Sequence, residues 1–287
     1  MQNALKTTIL LAALTGLFLL VGQILGGSGG MLIAFIFAVV MNFGAYWFSG
    51  SIALKMAGAR EIGATEAPEL YQLVEELATY ARLPMPKVAI IDSPSPNAFA
   101  TGRDSKHAVI AVTTGIMGVL SRDELAGVLA HELGHVKNKD ILVSSIAATV
   151  AGAITLLANM AQWALIFGGF GGRSDDDDGM NPFAALLMII VAPIAATIIH
   201  LAISRSREYG ADATGAAIHG NPESLARALE KLEMATSMRP LPVNPSVAHL
   251  FIVNPLKGMS FAGLFSTHPP LQERIKRLRS MQLRSVY

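Results

Sequence analysis

The chain has 287 residues, a net charge of +1 and only 15% charged residues, with a mean hydropathy of +0.47. A soluble domain carries about 25% charged residues, so this composition points to a surface partly covered by lipid. The near-neutral balance gives no electrostatic basis for a nucleic-acid partner, and the absence of cysteine excludes disulfides and thiolate metal ligands.

Two apolar runs come first, residues 7–25 and 31–48, joined by the uncharged connector 26–30 (Gly-Gly-Ser-Gly-Gly). Spanning a bilayer takes roughly 20 apolar residues. In lipid the backbone must bond to itself, so both runs are predicted helices. Buried helices of a soluble protein are the weaker account, because core helices average about 11–12 residues. The first run is long for a signal peptide and no Ala-x-Ala site follows it, so it reads as an anchor.

The polar stretch that follows, 51–140, predicts an amphipathic helix over 65–82, with Pro68 in its first turn and Leu70, Leu73, Val74 and Leu77 at helical spacing. Short strands are predicted at 87–92, 97–101 and 108–113, separated by turn-rich segments. Ser121 three residues before Glu124, ahead of an apolar run, is a capping box. It opens a helix that is expected to continue almost without a break into a third apolar run, 141–167. A fourth run occupies 183–203. Asn221 and Pro222 open a further helix, and a basic amphipathic helix is expected over 271–282.

Lys6, Lys55, Arg60, Lys137, Lys139, Arg205 and Arg207 flank the runs on one side. The connector 168–181 holds one Arg against Asp175, Asp176, Asp177 and Asp178. By the positive-inside rule, both termini and the segments 51–140 and 204–287 face the cytoplasm, with 1–50 and 141–203 forming two membrane hairpins. The Asp175–Asp178 run has no assigned role.

His131-Glu132-Leu133-Gly134-His135 carries the chemistry. Residues four apart share a helix face, so two imidazoles converge on one ion while Glu132 is placed to take a proton from water. Zinc suits nitrogen and oxygen donors in a tetrahedral site with one open position. A catalytic zinc needs a third protein ligand. Glu208 is the best candidate, because a hairpin of the third and fourth runs returns it to the membrane face that holds His135. Asp212, one turn further, is either the acceptor of a ligating histidine's second ring proton or an ordinary surface acid. His200, inside the fourth run, reads as a snorkelling or paired helix-end histidine, and His107, His219 and His249 carry no pattern.

Residues 96–102 (Pro-Asn-Ala-Phe-Ala-Thr-Gly), the 131–135 motif, Glu208 with Asp212, and Thr267-His268-Pro269-Pro270 before Arg274 together resemble the HtpX membrane metalloproteases, relatives of the type I CAAX prenyl proteases. The resemblance runs over essentially the whole chain. It implies a mainly α integral membrane protein, with four transmembrane helices and a zincin-like cytoplasmic α+β metalloprotease domain built on a small sheet. It further implies one Zn2+ per chain held by His131, His135 and Glu208, Glu132 as base, and a role in quality control of unfolded or damaged membrane proteins in the bacterial inner membrane. Asn97, Ala98 and Phe99 read either as an edge strand that pairs with an extended substrate or as a plain strand. His268 reads either as an oxyanion stabiliser or as a helix cap. The rival functions are a prenyl-protein endopeptidase, a non-catalytic metal-binding scaffold, which the intact Glu132 argues against, and a transporter, which would need more polar residues at span centres. Natural substrates and oligomeric state are not legible in the sequence.

Overall fold

The structure is a computed structural model that describes residues 2–152, 205–238, 243–253 and 269–281. Its first element, α1 (Gln2–Met56), is two apolar arms joined at Gly26 and Gly27, where the backbone leaves helical values (Gly27 φ 57°). Glycine adopts that positive φ without steric cost, so the predicted connector is where the chain reverses. The arms pack on each other: Phe18 meets Phe37 edge-on at 5.1 Å, and Asn42 Nδ2 donates to Leu11 O (3.2 Å) and Thr15 Oγ1 (2.8 Å). Hydrogen bonds from a side-chain amide lock two apolar helices where hydrophobic packing alone is not selective.

Among the described residues, Gly26–Met56 is the one helix long and apolar enough to cross a membrane. Leu5–Leu20 and Ile141–Gly152 are shorter apolar helices. Ile33 and Phe43 on the outer face of α1 are 71% and 63% exposed, part of an apolar surface that continues through Phe35, Val40 and Phe48. A stripe of this size needs lipid or a partner to cover it. Residues 153–204, which hold the rest of the third predicted run, the fourth run, His200 and the Asp175–Asp178 run, lie outside the described residues.

Beyond α1 the chain builds a four-stranded mixed sheet in the order β1-β2-β4-β3. β1 (Ala59–Ile62) is antiparallel to β2 (Lys87–Ile91), β2 is parallel to β4 (Val109–Thr113), and β3 (Ala98–Thr101) closes the edge antiparallel to β4. Three of the four match predicted strands. β1 escapes sequence reading because it is four residues long and half charged; pairing with β2 and the Glu61–Lys87 contact (2.8 Å) hold it. One face of the sheet, with Val88, Ala98, Ala100, Ile110 and Val112, packs on the helices that follow. The other, with Ala89, Ile91, Phe99 and Ala111, packs on Ala53, Leu54 and Ala57 at the end of α1 and on Val247 and Phe251. A sheet covered on both faces explains why β2 and β4 read as continuous apolar runs.

α2 (Pro68–Ala81) buries the periodic side chains Leu70, Leu73, Val74 and Leu77 and ends on Arg82 in the left-handed conformation. A short α3 (Thr114–Val119) leads into α4 (Arg122–Lys137), whose start is fixed by the expected capping box between Ser121 and Glu124. α4 is the central helix. It packs on α6 (Arg205–His219) and α7 (Pro222–Met238), with α8 (Leu271–Ser280) outside them. Two glycines permit the α4–α6 approach. A Cβ at Gly134 would come within 2.8 Å of Ala211 O, and one at Gly215 within 2.8 Å of His131 Cα.

α4 is separated from the next apolar helix by a short turn, so the near-continuous run expected is interrupted for three residues. Asn138 caps it, Lys139 turns left-handed (φ 61°), and the Asp140 N–H returns to His135 O at 2.9 Å. α5 (Ile141–Gly152) starts afresh after this turn. The break redirects the chain and brings the Asp140 carboxylate back beside the last turn of α4.

Candidate metal centre

His131 and His135 face the same side of α4, their rings 4.8 Å apart and nearly perpendicular. α6 lays Glu208 across them: Glu208 Oε2 is 3.9 Å from His131 Nε2, and Oε1 is 3.6 Å from His135 Nε2. Among the described residues, His131, His135 and Glu208 form the one group able to hold a metal, with ligand atoms all within 4.8 Å of one another. Both imidazoles therefore present Nε2 to a shared centre.

Their Nδ1 atoms are held from behind. His131 Nδ1 lies 2.9 Å from Asp212 Oδ1, and His135 Nδ1 lies 3.2 Å from Asp140 Oδ2. A carboxylate at Nδ1 accepts that N–H, so the Nε2 lone pair stays free to point inward; this fixes tautomer and ring orientation together. The donor set, two neutral imidazoles and one carboxylate oxygen with no thiolate, suits zinc with one position left open.

Arg274, fully buried, completes the layer beneath. It donates to Asp212 through Nε (3.0 Å) and Nη2 (2.7 Å), and its Nη1 reaches Ile252 O at 3.4 Å. Nη2 is also 3.4 Å from both ring nitrogens of His131, which places it across the imidazole face rather than in line with either lone pair. A buried carboxylate is costly unless a charge pairs with it. Burial alone would raise the Asp212 pKa, but the charge of Arg274 and the bond from His131 hold it down to about 2.

Glu132 is pushed the other way. Its burial raises its pKa, with the neighbouring Glu208 charge acting in the same sense, against the lowering effect of the histidines and a hydrogen bond from the Ala100 backbone. A carboxyl with a raised pKa is better able to accept and return a proton near neutral pH. For His135, burial opposes the charged form, but the Asp140 bond and the charges of Glu208 and Glu132 outweigh it, and the metal-free pKa rises.

The cavity in front of these groups is lined by His131, Glu132, His135, Glu208, Arg207 and His249, among others. His249 Nε2 lies 3.2 Å from Ser144 O, so a residue without sequence pattern ends beside the centre. Asp140 was equally missed, although an acid just before an apolar run is a helix-start signal that Asn138-Lys139-Asp140 carries. Arg274 is legible in the sequence only as part of the basic helix and of the motif that follows residues 267–270, without a role. His268 lies outside the described residues.

Asn97, Ala98 and Phe99 are fully buried. Asn97 Nδ2 donates to Val253 O (2.8 Å), Ile252 N donates to Ala98 O (3.0 Å), and Phe99 stacks edge-on against Phe251 (5.0 Å). β3 is an edge strand of the sheet, and residues 251–253 of the chain itself occupy the Ala98 end of that edge.

Comparison with known proteins gives a consistent result. The family model described as peptidase family M48 matches residues 64–282. A protease HtpX homolog of Syntrophobacter fumaroxidans is 58% identical over 282 residues, covering 98% of this chain and 100% of that protein. A protease HtpX homolog of Pyrococcus furiosus is 55% identical and covers 97% and 96% respectively. The crystal structure of S. mikatae Ste24p matches with a TM-score of 0.50 at 22% identity, over 96% of this chain and 65% of that one; at that identity the likeness is one of fold.

The depressed Asp212 pKa sets an acid limit. Its stabilising contribution is complete above the ordinary carboxylate range and is lost as pH falls from about 4 towards 2. Thermal melts of metal-free protein across this range should therefore fall more steeply for the wild type than for Asp212→Asn, which starts lower at neutral pH with Arg274 unpaired. Parallel curves would contradict the assignment.

Proposed function

The chain belongs to peptidase family M48 and is a metalloprotease, and from that premise we propose that it is a membrane-embedded zinc endopeptidase whose ion is held by His131, His135 and Glu208. The observation that carries this reading is the pair of opposed constraints on each histidine, Nδ1 held by a carboxylate and Nε2 turned towards Glu208. When bound, zinc supplies Lewis acidity and lowers the pKa of a water molecule towards about 7. Glu132 takes the proton of the attacking water and passes it to the leaving amine. Its buried carboxyl, with a raised pKa, suits both halves of that transfer. Asp212 and Asp140 keep the imidazoles aligned, and Arg274 keeps Asp212 ionised.

The proposed arrangement has four membrane spans, with 1–50 and 141–203 as hairpins and 51–140 and 204–287 as one cytoplasmic catalytic unit. The Gly26–Met56 helix and the packing of the sheet on its Ala53–Ala57 end support a catalytic unit seated on the membrane surface. The substrates proposed are unfolded or damaged membrane proteins of the bacterial inner membrane. Relatives named as proteases do not favour the prenyl-tail or scaffold alternatives.

Purified full-length Glu132→Gln protein should keep its zinc and lose cleavage of an unfolded substrate such as casein by about 10²- to 10⁴-fold; equal cleavage by variant and wild type would refute the mechanism. For orientation, a Ser174→Cys protein, which then has a single cysteine, should react with a membrane-impermeant maleimide added outside spheroplasts. Labelling only after lysis would reverse the topology.

A further inference from the structure

Arg207 stands out among the groups that line the metal cavity. It precedes Glu208 in the first turn of α6 and is largely withdrawn from solvent. No hydrogen bond or ion pair reaches it among the described residues, and its Nη1 is completely buried without a partner. Asp140 and Glu208 act on its charge only at a distance, while burial works against that charge. Native proteins rarely leave a guanidinium nitrogen in this condition, because the desolvation cost is uncompensated. Lys6, just before the first apolar run, is close enough for the two positive charges to repel each other. It too makes no ion pair among the described residues.

Charge balance gives this arrangement a direction. Asp212 is neutralised by Arg274. Among the described residues, Arg207 is thus a cation at the cavity wall that no acid bonds. A planar guanidinium in such a place is suited to a carboxylate. A backbone carbonyl would satisfy the N–H but leave the charge.

We propose that Arg207 is a substrate-binding residue that takes a carboxylate of the bound peptide, from an acidic side chain or from a nearby C-terminus, on one side of the bond being cut. This rests on the endopeptidase reading of the cavity, and it makes acidic or chain-terminal segments the preferred substrates.

The test uses full-length, zinc-loaded Glu132→Gln protein in nanodiscs of neutral lipid, with fluorescent peptides read by anisotropy. One pair differs only as Glu against Gln with the C-terminus amidated, and a second differs only as free against amidated C-terminus. The carboxylate member of at least one pair should bind roughly ten- to a hundredfold tighter, and the pair that responds identifies the source. Arg207→Gln should abolish the difference at unchanged zinc content, and Arg207→Lys should restore part of it. Equal binding within both pairs overturns the proposal on the parent protein alone, whatever the variants do. So does a preference that survives Arg207→Gln. Binding that follows the anionic-lipid fraction and ignores the peptide carboxylate also overturns it, and would assign the two cations to lipid. Hydrolysis itself is judged separately, by the cleavage lost on Glu132→Gln.

Discussion

The contacts from Asp212 and Asp140 to the Nδ1 atoms of His131 and His135 are the constraint on which the proposed centre depends. An imidazole alone can rotate and exchange tautomers. With Nδ1 held, each ring has one orientation and one free lone pair, and both lone pairs face Glu208. The two holding groups come from different structural origins. Asp212 sits on α6, one turn past Glu208, and is kept ionised by a fully buried arginine from α8. Asp140 sits on the turn that ends α4, where a left-handed Lys139 swings it back.

This arrangement ties the metal centre to the apolar helices. The turn that places Asp140 also leads into α5, whose Ser145 hydroxyl bonds Thr101 Oγ1 (2.7 Å) and the Gly102 N–H (3.2 Å) at the end of β3. Gly102 in turn lies against Gly50 of α1, where a Cβ would come within 3.0 Å. The edge strand and one histidine clamp are thus anchored on apolar helices rather than on a freely moving domain. Breaking a buried pair such as Arg274–Asp212 would leave an uncompensated charge, typically a loss of about 3–5 kcal/mol.

The main elements were legible because their signals are local. The capping box at Ser121 and Glu124, the apolar period of 70–81 and the Gly26–Gly30 break each act within a few residues, and each appears where expected. Glu208 was reachable from the expectation that the third and fourth runs form a hairpin, most of which lies outside the described residues. What escaped depends on contacts distant in sequence. β1 is held by pairing with β2, His249 bonds the start of α5, and Arg274 meets Asp212 across 62 residues. Asp140 is the instructive case: the short interruption before the third run is within the expectation, but the left-handed turn that points Asp140 at His135 has no local signal. The strand was found, yet the partial cover by residues 251–253 has no sequence signature.

The central claim is the composition of the metal shell, and zinc K-edge X-ray absorption on purified full-length protein tests it most directly. The account predicts one zinc per chain, a shell of nitrogen and oxygen at about 2.0–2.1 Å with the scattering of two imidazoles, and loss of that shell in Glu208→Ala. Three or more imidazoles, or an unchanged shell in Glu208→Ala, would contradict it.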